Sequence, residues 1–202
     1  MGGGFRLGRV ADIEIHVDWS LLIVFWLIAS SLALGVFPTW HPEWTRLHAA
    51  GTALAAALLF FTSVLAHELA HALTGRRYGI QVGRITLFIF GGIAELGGEP
   101  SSWRAELSMA AAGPLTSIVL GMVFLLLTAS MAGPLPAEMQ DFESWLAGLG
   151  SVPTLLLWLG QVNIVLALFN LVPGFPLDGG RVLRAALWGM TGDLRRSPHR
   201  AS

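Results

Sequence analysis

Four apolar blocks divide the chain, at residues 19–37, 49–73, 107–132 and 153–171, and each approaches the length needed to span a bilayer. As a helix, residues 19–37 cover about 28 Å, close to one hydrocarbon core. Backbone inside lipid has no water to bond to, so blocks of this kind fold as helices that satisfy their own peptide groups. Only 12% of the 202 residues are charged and 54% are hydrophobic, too little charge to cover a soluble domain of this size. The expected fold class is an all-α polytopic membrane protein with about four transmembrane helices and small β-hairpin or sheet elements. Asp12, Glu14 and Asp18 precede the first block, where a signal peptide carries cations, so that block reads as a retained span.

The segments between the blocks carry β and turn signals. Residues 5–10 and 13–18 alternate apolar and polar side chains, which predicts an N-terminal β-hairpin (1–18) turning at Ala11 and Asp12. His16 then reads as a strand surface residue. Residues 81–96 are β-branched and aromatic with a break at Gly91 and Gly92, which predicts a membrane-associated hairpin or small sheet. An exposed strand there can hold an extended peptide by strand addition, so Gly91 and Gly92 are candidate substrate-binding residues, although a purely structural hairpin has the same pattern. Residues 38–48 form a short loop with interfacial Trp40 and Trp44, and 133–151 reads as a second loop. Small residues at 109–117 suit close helix packing, and Pro114 is placed to kink its helix. A short helix is expected at 181–190. The membrane core thus spans 19–190, with 191–202 a polar tail.

The chemistry concentrates at His67-Glu68-Leu69-Ala70-His71, an H-E-x-x-H sequence late in the second block. One helical turn separates the two histidines, so they share a face and can bind one Zn²⁺, while Glu68 is offset and free to act as a general base. The plain alternative is a buried helix that happens to carry these residues. Ionisable groups in a bilayer-length segment argue against it, because a charge at mid-membrane costs roughly 2.5–3.5 kcal/mol. The chain has no cysteine, which removes thiolate ligands and leaves histidine and carboxylate. His41, Glu43 and His48 read as interfacial loop residues, and His48 lies about 28 Å from His67 along a continuous helix.

Charge gives the topology. All cationic side chains are arginine, and only Arg46 lies apart from the others, which flank the chain termini and the segment between the second and third blocks. The positive-inside rule puts both termini and residues 75–106 in the cytoplasm. His67, His71 and Asp178 then share the cytoplasmic side, so Asp178 can complete a His, His, Asp site with an open fourth position. Glu95, Glu99 and Glu106 lie on the same side, and topology alone does not choose among them. Asp178 before Gly179 and Gly180 is also an ordinary helix-start residue.

The H-E-x-x-H sequence in one span, with Asn170-Leu171-Val172-Pro173 and Asp178-Gly179-Gly180 at a later one, resembles the site-2 protease family of intramembrane zinc metalloproteases. Ala112-Gly113-Pro114 and Val17-Asp18-Trp19-Ser20 share the resemblance, which covers most of the chain. It implies that His67, His71 and Asp178 bind one Zn²⁺ per chain, that Glu68 is the base, and that Asn170 lies near the bound peptide. It implies hydrolysis of membrane-spanning protein substrates in regulated proteolysis, in the cell membrane. The lipid bilayer is the other expected partner, nucleic acid is not expected, and a homo-oligomer is left open. The resemblance extends to members with two further spans and a pair of nucleotide-sensing CBS domains, so the 202 residues read as an N-terminal four-span core, with a fragment left open. Two alternatives stand beside this reading. One is a membrane H-E-x-x-H protease acting on lipidated proteins, whose third ligand is a distant Glu; the other is a non-catalytic metal-binding scaffold.

Overall fold

The computed structural model of the chain describes residues 3–192 apart from 90, 134, 135, 137 and 175; most of the 191–202 tail, with Arg195, Arg196 and Arg200, lies outside the described residues. Strand β1 (Gly4–Val10) and strand β2 (Ile13–Asp18) form the N-terminal hairpin. Its two-residue turn is Ala11 and Asp12, both at positive φ (48° and 59°). This is the backbone twist that tight hairpins favour, adopted here without glycine. Arg76 compensates from a distance: its guanidinium donates to the carbonyls of Ala11, Asp12 (3.0 Å) and Val82 (2.8 Å).

Strand β2 runs straight into helix α1 (Trp19–Ser31). Asp18 is the N-cap and accepts from the Ser20 N–H at 2.9 Å. Hydrogen bonds from the Ser20 hydroxyl and N–H hold the Asp18 carboxyl below its ordinary range, so it stays anionic at a helix start. A π-helical turn (Leu32–Val36) leads to α2 (Phe37–Trp40), and together they make a membrane-length helix, Trp19–Trp40. The other three are α3 (Arg46–Arg77), α4 (Trp103–Ala132) and α6 (Ser151–Asn170). At 1.5 Å per residue the 32 residues of α3 reach about 48 Å, well beyond a hydrocarbon core of about 30 Å. Its last turns, which carry His67 and His71, therefore have room to work at one end of the membrane layer. Among residues 103–132 the helix continues through Pro114.

Strands β3 (Val82–Phe88) and β4 (Gly91–Leu96) form the second hairpin. The two hairpins are not separate: β2 and β3 pair in parallel, making one mixed sheet in the order β1-β2-β3-β4. Alternation predicts the first hairpin and composition the second, but neither carries a signal for a pairing between residues so far apart. Ile13, Ile15 and Val17 of β2 and Val82, Ile85 and Leu87 of β3 are buried. The register shift at Gly83 keeps Val82 and Ile85 on one face although they are three residues apart. That face packs on Val64, Leu69 and Ala72 of α3, so the sheet covers the same end of α3 that bears the histidines.

The segment expected to be a loop at 133–151 contains a further helix, α5 (Met139–Ala147). Phe142, Trp145 and Leu146 fall at helical spacing and pack near Trp40 and Leu157, and this short apolar stripe is what the loop reading overlooked. Helices α4 and α6 approach closely where Gly121 and Gly160 meet: a Cβ on Gly121 would lie 3.0 Å from the Gly160 carbonyl. The final helix, α7 (Asp178–Thr191), packs on α4. Its Arg184 donates two hydrogen bonds to Glu106, one from Nε at 2.6 Å, and Glu106 is fully buried.

Removing Arg184 while keeping Glu106 leaves a buried charge without its partner. Arg184→Met is expected to cost about 3–5 kcal/mol, read as a lower unfolding midpoint in detergent. Adding Glu106→Met should restore most of that loss.

Candidate metal centre

Helix α3 places the imidazoles of His67 and His71 one above the other, and both are buried. Their Nε2 atoms are 3.1 Å apart. Helix α7 brings in Asp178, whose Oδ2 lies 3.2 Å from His67 Nε2 and 3.1 Å from His71 Nε2. Among the described residues these three form the one group of histidine, cysteine or carboxylate side chains whose ligand atoms converge in this way.

The other ring nitrogens set the tautomers. His71 Nδ1 lies 2.6 Å from the Met109 carbonyl, which can only accept, so Nδ1 carries the proton and Nε2 presents a lone pair. His67 Nδ1 lies 2.9 Å from Ser117 Oγ, and when it donates to that hydroxyl His67 presents its Nε2 lone pair in the same way. In that state three acceptor atoms face one another, an arrangement that a cation between them satisfies. Ligands about 2.0–2.1 Å from a tetrahedral zinc are separated by about 3.3 Å, so the observed spacings suit a zinc ion in type and in size.

Helix α4 shapes the rest of the centre with a stripe of four-residue spacing: Met109, Gly113 and Ser117. Met109 offers its carbonyl and Ser117 its hydroxyl. Gly113 offers the absence of a side chain, since a Cβ there would run into His71 Nε2 and lie 2.5 Å from His67 Nε2. The space the donors surround exists only because residue 113 has no Cβ. Ser117 also departs from a pattern: Thr52, Thr62, Ser63, Thr116 and Thr128 all give their hydroxyls to a carbonyl four residues back in their own helix, as membrane helices allow. The spacing of 109, 113 and 117 was readable in the sequence, but as packing; nothing in it says that the stripe faces the histidines.

Asp178 depends on Gly179. A Cβ on Gly179 would collide with the carbonyls of Leu171 and Val172, so the glycine lets α7 begin directly against the end of α6. The competing carboxylates are elsewhere: Glu106 pairs with Arg184, Glu95 lies 3.3 Å from Arg84 at the surface, and Glu99 is exposed. His41 and His48 stack on the two faces of Trp44 (centroids 4.0 and 4.2 Å) and bond Thr154 and Ser151, near the other end of α3.

Glu68 is half-buried beside the centre, and Gly92 of β4 lies directly against it: a Cβ on Gly92 would lie 2.6 Å from Glu68 Cδ. Gly91 has φ 124°, a conformation suited to glycine, where the chain turns into β4. Asn170, the last residue of α6, gives its Nδ2 to the Leu166 carbonyl at 2.9 Å. His67, Glu68, His71, Asp178, Gly91, Gly92 and Asn170 all line one cavity of about 560 Å³.

Known proteins share this architecture. The chain is 40% identical over 98% of its length to a Mycobacterium tuberculosis protein named "Putative zinc metalloprotease Rip3", covering 47% of that protein. It is 32% identical over 96% of its length to a zinc metalloprotease of Methanocaldococcus jannaschii, covering 49% of it. The chain thus spans about half the length of these relatives. The solved structure of a site-2 protease from Methanocaldococcus jannaschii superposes with a TM-score of 0.60 at 28% identity, over 96% of this chain and 76% of that one. A model of peptidase family M50 matches residues 55–201, and with it the histidine pair, the glutamate and the aspartate. On this footing the chain is an integral membrane protein that belongs to peptidase family M50, the site-2 proteases.

Proposed function

We propose that this chain is the core of an intramembrane zinc metalloendopeptidase that hydrolyses peptide bonds of membrane-spanning proteins. The observation that carries the proposal is the convergence of three lone-pair donors beside a carboxylate that ligates nothing. His67, His71 and Asp178 hold the metal and leave a position open; a purely structural site would fill it and would not need Glu68. When bound, zinc supplies Lewis acidity, which makes water a nucleophile near neutral pH and polarises a carbonyl.

The chain's own residues supply the rest. Glu68 takes the proton of the attacking water at its carboxylate and returns it to the leaving amine. Met109 and Ser117 keep both imidazoles in the ligating tautomer. A helical substrate hides its scissile bond in its own hydrogen bonds and must unwind to be cut. Strand β4, with Gly91 and Gly92 beside Glu68, offers an edge on which an unwound segment can lie extended. Asn170, with its amide hydrogens turned to Leu166, presents its carbonyl oxygen to a substrate N–H. The arginine distribution supports a cytoplasmic position for this end of the bundle and for both termini, in the cell membrane.

The deciding measurement is zinc per purified chain together with cleavage of a membrane-spanning substrate. Glu68→Gln should keep the metal and lower cleavage by at least about a hundredfold; undiminished cleavage would overturn the base assignment. Asp178→Ala should lose or greatly weaken zinc, and an unchanged content would move the third ligand elsewhere. Gly113→Ala favours the helix by about 1 kcal/mol but puts a methyl group among the donors. It should therefore lower zinc retention more than tenfold, read as zinc per purified chain against the parent.

A further inference from the structure

Helix α7 carries two arginines one turn apart with opposite fates. Arg184 is tied to the buried Glu106. Arg181 is half-buried and, among the described residues, has no hydrogen-bond or ion-pair partner. It lines the same cavity as His67, Glu68, His71 and Asp178, in a wall that is otherwise mostly apolar, with Phe88, Ile93 and Leu166 among its members. A cation withdrawn from water without a partner is costly. Here its backbone cannot easily drift away from the site, because Arg184 anchors the same helix to α4 and Asp178 begins it. Arg181 also lies in the first turn of α7, where the helix dipole adds to the pull on an anion.

Charge balance points the same way. In the protease reading, on which this inference rests, a dication is offset by the Asp178 and Glu68 carboxylates, and Arg181 leaves the cavity with one positive charge unspent. We infer that Arg181 is a specificity-determining residue that binds a carboxylate of the peptide substrate close to the scissile bond. A planar guanidinium accepts a carboxylate through two parallel hydrogen bonds, which fixes position as well as charge. Two sources share that chemistry: an Asp or Glu side chain of the substrate, and the new C-terminus that cleavage creates.

The test uses the full chain in detergent, zinc-loaded and carrying Glu68→Gln so that bound peptide stays intact. The probes are fluorescein-labelled apolar dodecapeptides with a single Glu, Gln or Lys moved through the sequence, read by anisotropy. At one register or more the Glu peptide should bind about tenfold tighter than its Gln twin. Arg181→Gln should erase that difference, and Arg181→Glu should turn the preference to Lys. A tenfold advantage for a free C-terminal carboxylate over its amide, erased by Arg181→Gln, supports the same site with the product end as its source. No binding, equal affinity for Glu and Gln peptides at every register together with no advantage for the free terminus, or a carboxylate preference that survives Arg181→Gln, overturns the inference. Zinc is measured on every variant. One zinc per chain without a carboxylate preference fails this inference alone, whereas a parent chain that binds no zinc fails the protease reading beneath it.

Discussion

Two imidazole nitrogens and a carboxylate oxygen within 3.2 Å of one another repel unless positive charge lies between them. Much of the surrounding structure is what it takes to hold them so. The helical repeat of α3 delivers two of the donors at no further expense. The third comes from another helix more than a hundred residues later, and its position is fixed at two points on α7: Gly179 seats the start of the helix on α6, and Arg184 ties its middle to Glu106 of α4. Helix α4 closes the arrangement from the third side with a carbonyl, a hydroxyl and a bare Cα.

The membrane explains why so little of this polarity is wasted. Hydroxyls inside the apolar helices turn back to carbonyls of their own helix, so they need neither water nor a partner helix. Among the described residues, polar side chains that instead reach across between helices include those of the candidate metal centre, the Arg184–Glu106 pair, and the His41–Thr154 and His48–Ser151 contacts near the opposite end of α3. Outward-facing side chains such as Trp26, Leu126 and Val165 are exposed and apolar, as lipid-facing residues should be. The interior packs through small residues, as where Gly121 meets Gly160.

The parts of this architecture legible in sequence were those with local signals. Apolar blocks announce helices by length, alternation announces the first hairpin, β-branched and aromatic content with the Gly91-Gly92 break announces the second, and the spacing of His67 and His71 announces a shared helix face. Asp178 needed more: topology admitted it together with Glu95, Glu99 and Glu106, and only its Asp-Gly-Gly setting, through family resemblance, singled it out. What remained hidden depends on contacts between distant segments. Gly113 looked like packing because the meaning of a missing Cβ depends on what faces it. Arg76 counted only toward the charge asymmetry, yet it holds two carbonyls of the β1–β2 turn and one of β3. Helix α5 was obscured by its polar and acidic residues, and Arg181 stood among other arginines with nothing in the chain to say which had a partner.

The parallel pairing of β2 with β3 has a consequence for the order of assembly. Residues 14–17 lie against residues 84–87, and between them stand two helices each long enough to cross a bilayer. The strands can meet only after the chain has gone out and come back, so their pairing requires that both spans be inserted in the right sense. Contacts between such distant segments also form late, because the intervening loop must close before they are rewarded. The small sheet is thus the last piece of the first half to lock, and a chain with one span misplaced would leave the two strands on opposite sides of the membrane with no partner for either.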